Sequence, residues 1–256
     1  MLATTELIQK KSLGAEEIRT YQQDGFLLLR GMLSPEDAGE LRGEAMEIIE
    51  ALGGLGMTKL RQTGQYLRNS SIDALIHSEQ LRSIASTLMG GPSTLYMPFT
   101  AVKSARGGGE FHFHQDNQYT RFDGPGCNCW FALNSMNEAN GCLRMVPGSH
   151  KNGTLAYRPS PDGDTHRRVQ FDPENFVSIL MEPGYCVVFS RLTVHGSGPN
   201  GSIQPRVGYA VQFHRDDVRG TWDGHEGALL KEHPRWPDEG VESLAALKLP
   251  TASDAH

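Results

Sequence analysis

Apolar residues in the first part of the chain recur at the spacing of a helix. Between Ser34 and Gly54 they stand three and four positions apart, which places them on one stripe of a single helix. Ser34-Pro35 offers a capping residue and a proline suited to the first turn, and Gly53-Gly54 predicts the end. The stripe consists of Ala38, Leu41, Ala45, Ile48, Ile49 and Leu52. Shorter helices are predicted over 14–23, 72–77 and 79–89, and a strand over 25–31.

From residue 93 onward the pattern changes to short apolar runs bounded by Gly, Pro, Asn or Asp, which is typical of strands. No helical pattern alternates with them, and this order favours a mainly β sandwich or barrel with helices packed outside. We expect one domain over 1–256, with a mainly helical lead (1–92), a barrel core (93–216) and a C-terminal extension (217–256). Residues 231–256 are expected to pack as a helix or to contact a partner chain. The predicted strands are Thr94–Lys103, Glu110–Asp116, Cys127–Met136, Cys142–Val146, Phe176–Met181, Cys186–Phe189 and Arg206–His214.

Charge and hydropathy restrict the class of partner. The 256 residues include 24 basic and 30 acidic side chains, a formal net charge of −6, and the basic ones form no tract that would bind nucleic acid or an anionic membrane. The apolar runs are far shorter than the roughly 18 residues of a membrane span. Glu6, Lys10 and Lys11 stand where a secretory signal has its apolar core, and four cysteines suit a reducing compartment. We therefore expect a cytoplasmic protein with a small-molecule partner.

The densest chemical signal is the run Phe111–Asp116, with the sequence FHFHQD. On a strand, His112, His114 and Asp116 would share one face and the two phenylalanines the other. Two imidazoles and a carboxylate in line are useful around a cation, although the same residues exposed on an edge strand would show the same pattern. The spacing alone leaves open whether His112 or His114 would be the ligand.

A further histidine lies far along the chain, at the end of an apolar strand and within a Gly-rich turn. His195 is followed by Arg206 at the start of the next strand. One His-x-Asp pair plus a distant His is the ligand set of the 2-His-1-carboxylate triad, which leaves one face of Fe(II) open. Two other interpretations use the same side chains. One is a zinc or manganese hydrolase or isomerase, which has no need for Arg206, and the other is an inactive binding protein on the same fold.

Four blocks of sequence follow one another in a fixed order: Asp24-Gly25-Phe26, His114-Gln115-Asp116, the run NGCLRMVPGSH over 140–150, and His195-Gly196-Ser197 with Arg206. In order and spacing they resemble the phytanoyl-CoA dioxygenase-like group of Fe(II)- and 2-oxoglutarate-dependent oxygenases, from about Asp24 to Asp216. The resemblance implies a double-stranded β-helix, a jelly-roll barrel with flanking helices. It also implies O2-dependent hydroxylation of an unactivated C–H bond, coupled to decarboxylation of 2-oxoglutarate to succinate and CO2, with desaturation or ring closure as alternative outcomes.

Position by position, the resemblance assigns the iron to His114, Asp116 and His195. It leaves His112 as a core or pocket residue. The carboxylate at Asp116 favours a hydroxylase over related halogenases, which have Gly or Ala there. The far carboxylate of 2-oxoglutarate is assigned to Arg206, whose planar guanidinium can hold it by two parallel hydrogen bonds. Further cosubstrate contacts are implied for Ser197, Gln115, Trp130, Met97 and Lys59.

Substrate residues follow only from their positions. Asn117, Tyr119 and Arg121 come just after the metal motif, and His214 stands at the end of the last strand. His166 and Arg167 belong to the polar segment 157–173, which is predicted to be a loop longer than the usual connection and hence a binding element or lid. The cations of this segment are explained either by an anionic substrate or by a solvated loop.

Overall fold

The structure is a computed structural model that describes residues 7–55, 60–159, 166–222, 224–234, 236 and 238–249. Four helices form its first layer. Ser34, Ser70 and Ser78 each precede a helix and accept a hydrogen bond from a backbone N–H of its first turn. The helices agree with those predicted from the apolar spacing. They are α1 (Ala15–Asp24), α2 (Pro35–Ala51), α3 (Ser71–Ile76) and α4 (Glu79–Met89).

The strands are β1 (Phe26–Leu29), β2 (Leu60–Thr63), β3 (Tyr66–Leu67), β4 (Ser93–Lys103), β5 (Phe111–His114), β6 (Arg121–Phe122), β7 (Gly126–Ala132), β8 (Leu143–Met145), β9 (Tyr157–Pro159), β10 (Arg167–Val169), β11 (Val177–Ile179), β12 (Cys186–Ser190), β13 (His195–Ser197), β14 (Arg206–Arg215), β15 (Arg219–Trp222), β16 (His225–Leu229) and β17 (Gly240–Val241). Two sheets contain most of them. The large sheet has the order β1-β12-β7-β14-β4-β2, and the small sheet has the order β11-β8-β13-β5. Every pairing within these two sheets is antiparallel.

The large sheet is covered on both faces, and its central strand β14 shows how the sequence achieves this. Val207, Tyr209, Val211 and Phe213 alternate along β14 and join the core that the sheet shares with the helices. The residues between them face the second core, which lies between the two sheets and contains Trp130, Phe189 and Ala210 from the large sheet and Leu143, Met145 and Ile179 from the small one. This two-sheet arrangement with helices outside is the predicted jelly-roll class.

Several predicted boundaries were wrong. The strand predicted to end at Asp116 ends at His114, because Asp116 starts a 3-10 turn over Asp116–Gln118. His195 lies in the separate short strand β13 and not in a turn. The predicted loop over 157–173 contains the hairpin β9–β10, and its residues 160–165 lie outside the described residues. Between 231 and 249 the described residues form β17 and a 3-10 turn, with no α-helix among them.

None of the helices in the described part of the chain is long and apolar enough to cross a membrane. Segment 1–92 contributes β1 and β2 to the two edges of the large sheet. The division into lead, barrel core and C-terminal extension stays a prediction.

Candidate metal centre

Three side chains from the small sheet and its adjoining turn converge at one end of the space between the sheets. His114 ends β5, Asp116 begins the turn that follows, and His195 begins β13. Asp116 Oδ1 lies 4.0 Å from His114 Nε2 and 3.6 Å from His195 Nε2. One donor atom from each residue lies within 4.8 Å of the others, close enough for all three to bind one metal ion. Two imidazoles and one carboxylate are the donor set of non-haem Fe(II) sites.

The pairing of β5 with β13 determines which residues face the metal centre. His195 pairs with His114 and Ser197 pairs with Phe111, so a β-bulge places one extra residue in β5 between the two pairs. The bulge brings Phe111, and not His112, to the face of His114, with the two rings 6.1 Å apart. The predicted strict alternation of this run was therefore wrong. His112 lies outside the metal-binding group and lines a small cavity with Arg168 and Phe171. His114, and not His112, is therefore the candidate ligand of this strand.

Both imidazoles are oriented by the backbone. His114 Nδ1 lies 2.8 Å from the carbonyl oxygen of His112, and His195 Nδ1 lies 2.9 Å from that of Thr193. Because a carbonyl oxygen only accepts, each Nδ1 carries the proton and each Nε2 presents a lone pair. Burial, reinforced by the neighbouring His195, lowers the pKa of His114 to about 3. The imidazole of His114 is therefore neutral at physiological pH, as a metal ligand must be.

The third donor, Asp116, is held from the large sheet by residues that the sequence analysis missed. Its Oδ2 accepts from Asn128 Nδ2 (3.4 Å) and from Gln212 Nε2 (3.5 Å). Arg191 Nη1 donates to Gln212 Oε1 (2.8 Å), and Arg191 Nη2 donates to the carbonyl of Asp116 (3.2 Å). The available signal was a polar side chain inside a strand of buried residues, since Asn128 and Gln212 interrupt β7 and β14 in this way. These contacts leave Oδ1 toward the two imidazoles.

Arg206 is a buried cation at the start of β14, 1% exposed and facing the space between the sheets. Its guanidinium lies 5.2 Å from the Trp130 ring, and Nη1 donates to the carbonyl of Gly141 (3.1 Å). Arg206 Nε and Trp130 Nε1 are buried without a hydrogen-bond partner, and no carboxylate of the described residues pairs with the guanidinium. Burial lowers the pKa of Arg206 to about 10, so it stays charged at neutral pH. Unpaired buried donors of this kind fit a carboxylate ligand.

Lys103 lies between Arg206 and the strand that carries His195. It was not among the site residues predicted from the sequence. It is the cross-strand partner of Arg206, has no exposed surface, and donates through Nζ to the carbonyl oxygens of Ser197 (3.2 Å) and Gly198. Ser197 lies two residues after His195 on the same strand face. The unpaired donors around Arg206 and the histidines therefore belong to one interior surface. A lysine that ends an otherwise apolar strand was the signal for it.

Gln115, predicted to contact a cosubstrate, has its polar atoms occupied elsewhere. Its Nε2 donates to the carbonyls of Gly153 (2.9 Å) and Leu192 (2.6 Å), and its Oε1 accepts from the backbone N–H of Leu155 (2.7 Å). The side chain holds two loops against the metal motif and presents neither amide hydrogen to a ligand. These contacts do not support a direct cosubstrate contact through the amide, which stays a prediction.

Three further predicted residues have contacts of their own or are exposed, and none belongs to the metal-binding group. Asn117 bonds the backbone N–H and carbonyl of Phe122 and the hydroxyl of Thr154. Arg121 is exposed on β6, which pairs with β15 and not with a metal-bearing strand. Met97 packs against a separate apolar cluster that includes Phe122. None of the three presents a free polar group to the triad.

His214 is buried near the C-terminal end of β14. Its Nδ1 lies 2.9 Å from the carbonyl of Arg215, and its ring lies against Tyr96 and Phe122. Burial lowers the pKa of this imidazole. Its surroundings are therefore aromatic, and it is not part of the metal-binding group. Lys59 lies outside the described residues.

The structure does bring the remaining predicted substrate residues close to the centre. The Tyr119 ring meets the His114 ring edge-on at 5.8 Å, and Arg167 lies 5.3 Å from the centre of the Tyr119 ring. His166 meets Phe111 edge-on at 4.6 Å, beside the same His114. These residues form an aromatic wall on the side of the metal donors that faces the hairpin β9–β10.

Comparison with known proteins agrees with this architecture. The family Phytanoyl-CoA dioxygenase (PhyH) matches residues 21–208. Phytanoyl-CoA dioxygenase 1 from Oryza sativa subsp. japonica is 24% identical over 274 residues, which covers 88% of this chain and 97% of that protein. Ectoine dioxygenase from Bordetella parapertussis is 25% identical over 226 residues, covering 77% and 73%. The crystal structure of EvdO2 from Micromonospora carbonacea var. aurantiaca, complexed with 2-oxoglutarate, has the same fold, with a TM-score of 0.70, 22% identity and coverage of 87% and 97%.

The family match extends over most of the chain, and its members include dioxygenases related along nearly their whole length. The donor set of two histidines and an aspartate suits Fe(II), and the unpaired buried guanidinium suits the dicarboxylate cosubstrate. The chain thus belongs to the phytanoyl-CoA dioxygenase family, and it is an Fe(II)- and 2-oxoglutarate-dependent dioxygenase.

Proposed function

We propose that this enzyme hydroxylates an unactivated C–H bond of a small molecule, with His114, Asp116 and His195 as the iron ligands. The observation that carries the proposal is the convergence of three donor atoms within 4.8 Å, each oriented by its own hydrogen bonds. When bound, iron and 2-oxoglutarate together activate O2 for the oxidation. His114, Asp116 and His195 would hold the iron, and a set of only three protein donors would leave further positions for cosubstrate and oxygen.

Arg206 is the proposed partner of the far carboxylate of 2-oxoglutarate. Its guanidinium has no acidic partner among the described residues, so a bound carboxylate would supply the missing counter-charge. Trp130 Nε1 is a second unpaired donor next to it, and the carbonyl of Ser197 accepts a hydrogen bond from Lys103, the cross-strand partner of Arg206. We assign Trp130 and Ser197 to the same cosubstrate pocket.

Aromatic side chains exclude water around the histidines. Phe189 lies 4.6 Å from the His195 ring, and Phe111 and Tyr119 cover His114. A dry surround strengthens the electrostatic contacts of the centre and protects the oxidising species from side reactions. The hairpin β9–β10 then borders the side from which a substrate would approach.

An anaerobic titration tests the proposal. Fe(II) and 2-oxoglutarate added to metal-free enzyme should produce the weak visible charge-transfer band of an iron-bound 2-oxo acid. We expect the band to vanish in His114→Ala and to need at least tenfold more 2-oxoglutarate in Arg206→Ala. The matched controls His77→Ala and Arg82→Ala change exposed residues and should keep the wild-type titration. A folded wild-type protein that binds iron and 2-oxoglutarate without the band, or an unchanged band in His114→Ala, would contradict the ligand assignment.

Hydroxylation itself is tested on any compound that stimulates succinate formation. The product should gain one oxygen atom, and that atom should carry the label when the reaction runs under 18O2. A product that loses two hydrogens without gaining oxygen would indicate desaturation or ring closure instead. We also propose a cytoplasmic location, since all four cysteines are free thiols.

A further inference from the structure

The hairpin β9–β10 separates its arginines onto two faces. Arg168 pairs with Arg158 across the hairpin and Arg167 pairs with Pro159, so Arg167 points to the face opposite the other two. On the outer face, Arg158 lies 3.9 Å from the carboxylate of Asp172. Arg167 is the one of these three arginines on the inner face, toward the metal donors.

Arg167 is held there by two tyrosines. Its guanidinium lies 4.3 Å from the centre of the Tyr157 ring and 5.3 Å from that of Tyr119. The backbone N–H of Arg167 also donates to the Tyr119 hydroxyl (3.0 Å), which ties the hairpin to the turn that contains Asp116. Stacking on aromatic rings fixes the plane of a guanidinium and lowers the entropy lost when it binds a ligand.

The described residues provide no acidic partner for the stacked cation. Within the described ranges no carboxylate forms an ion pair with Arg167, and its side-chain N–H groups donate no hydrogen bond to another described residue. The guanidinium lies over both tyrosine rings, and in a guanidinium packed on rings the edge is the part that hydrogen-bonds a ligand. That edge presents two parallel N–H groups, the geometry that matches a carboxylate or a phosphonate.

The position of this edge relates it to the reaction. The Tyr119 ring that supports Arg167 also meets the ring of His114 edge-on at 5.8 Å. Phe111 and His166 line the neighbouring part of the same wall. A molecule anchored at Arg167 would therefore lie along an aromatic wall that ends at a metal ligand.

We propose that Arg167 is a substrate-binding residue, and that the substrate of this enzyme carries an anionic oxyacid group, a carboxylate or a phosphonate, which the edge of its guanidinium holds. The inference rests on the proposed function, because it places the bound molecule at the same iron centre. It adds a chemical class of substrate that the metal and cosubstrate residues do not specify. Arg206 holds the anion of the cosubstrate and Arg167 holds the anion of the substrate.

Calorimetric titration of the anaerobic enzyme loaded with Fe(II) and 2-oxoglutarate tests the inference. The probes are hexanoate and hexylphosphonate, with hexanamide as their neutral counterpart. We expect the two anions to bind at least tenfold more tightly than the amide in the wild type and in Arg158→Gln, which alters the outer face of the same hairpin. Arg167→Gln should abolish the preference, and Arg167→Lys, which retains the charge but not the planar fork, should keep only part of it.

Equal affinity for anions and amide in the wild type would overturn the inference, as would a preference that persists in Arg167→Gln. Loss of the charge-transfer band on adding hexanoate would also overturn it, because the probe would then displace 2-oxoglutarate at Arg206. Failure of the proposed function is distinguished by the band itself. If no band forms with Fe(II) and 2-oxoglutarate before any probe is added, the proposed function fails. The same probe titrations on metal-free protein then still decide whether Arg167 selects anions.

Discussion

The two sheets of this enzyme differ in regularity, and they contribute different kinds of residue to the active site. The large sheet is built from strands of up to eleven residues, with helices covering one face and the small sheet the other. The strands of the small sheet have three or four residues each, and one of them contains a bulge. The small sheet and its adjoining turn provide all three metal donors, whereas the large sheet provides Arg206, Lys103, Trp130, Asn128 and Gln212, which surround them.

This division has a physical reason. Bulges and turns can aim a side chain out of the regular alternation of a strand, as they do for Phe111 and Asp116. Such segments have few ladder hydrogen bonds with which to hold that aim. Long, doubly covered strands are rigid, so polar residues on their inner face can fix the donors from outside. We therefore expect substitutions in the large sheet to disturb a metal centre to which that sheet contributes no ligand.

The largest effect is expected from Gln212→Leu. The change removes a hydrogen bond to Asp116 Oδ2 and leaves Arg191 Nη1 without its acceptor. Loss of a partner that orients a metal ligand weakens metal binding by about 10- to 100-fold. A Co(II) titration without cosubstrate should show this weakening. Gln62→Leu, an exposed glutamine at the edge of the same sheet, should bind Co(II) as the wild type does, and equal affinities in the two variants would refute the orienting role.

The regular parts of the molecule could be predicted from the sequence because their patterns are long. The stripe over α2 and the alternation along β14 repeat often enough to determine both the element and its buried face. His114, Asp116, His195 and Arg206 were selected as candidates, because their order resembles that of a known family. The structure brings the first three together and places Arg206 along the same interior surface.

The irregular parts could not be predicted, because no short pattern encodes them. A bulge adds one residue to β5 and exchanges His112 for Phe111, which spacing in an assumed regular strand could not reveal. The role of Gln115 depends on loops nearly forty residues or more away along the chain. Lys103 and Gln212 carried a weak signal, a polar residue in a buried strand, but which ligand each would serve became clear only from the tertiary arrangement.

A second prediction concerns Gly208, where the large sheet makes room for the cosubstrate pocket. A Cβ at this position would lie 2.2 Å from Cζ2 of Trp130, so Gly208→Val must displace the indole. Overpacking of this kind costs about 1–3 kcal/mol in stability. Because Trp130 lies against Arg206, we expect the Kd of 2-oxoglutarate to rise at least tenfold while Co(II) binding stays unchanged. Gly201→Ala, where a Cβ would make ordinary contact at 3.5 Å, serves as the control. A wild-type Kd for 2-oxoglutarate in folded Gly208→Val would show that the indole is not part of the pocket.

A smaller, pH-dependent effect is expected at Lys103. Burial, and then the charge of Arg206, lower the pKa of Lys103 to about 6, with Arg144 acting in the same sense and Glu110 and Cys142 opposing it. A carboxylate bound at Arg206 adds a negative charge beside Lys103 and raises that pKa, so binding takes up a proton. The Kd of 2-oxoglutarate should therefore increase between pH 6 and pH 8, by less than about tenfold per pH unit.

Lys103→Met removes the titrating group and should flatten this pH dependence. Calorimetry in two buffers of different ionisation enthalpy measures the proton uptake directly, and uptake should disappear in the variant. An identical pH slope in wild type and Lys103→Met would assign the effect to another group. The rise in Kd and the proton uptake must change together, since both follow from one protonation.

The smallest effect is expected far from the centre, where the C-terminal segment joins the rest of the chain. Asp238 accepts hydrogen bonds from Tyr66 Oη (2.6 Å), Arg68 Nη2 (2.7 Å) and the backbone of Gly240 (3.0 Å), next to the parallel pair of β17 with β3. Burial acts to raise the pKa of the Asp238 carboxyl, but the hydrogen bonds from these three residues together lower it to about 2. A lowered pKa stabilises the fold above the ordinary carboxyl range, and that contribution is lost as the pH falls through 2. Because the Arg68–Asp238 ion pair is partly exposed and screened by solvent, Asp238→Asn should reduce the free energy of unfolding by less than about 1 kcal/mol at pH 7. Urea unfolding should show this difference shrinking between pH 4 and pH 2 with metal binding unaffected, and a difference that stays constant over that range would place the loss in something other than the carboxylate charge.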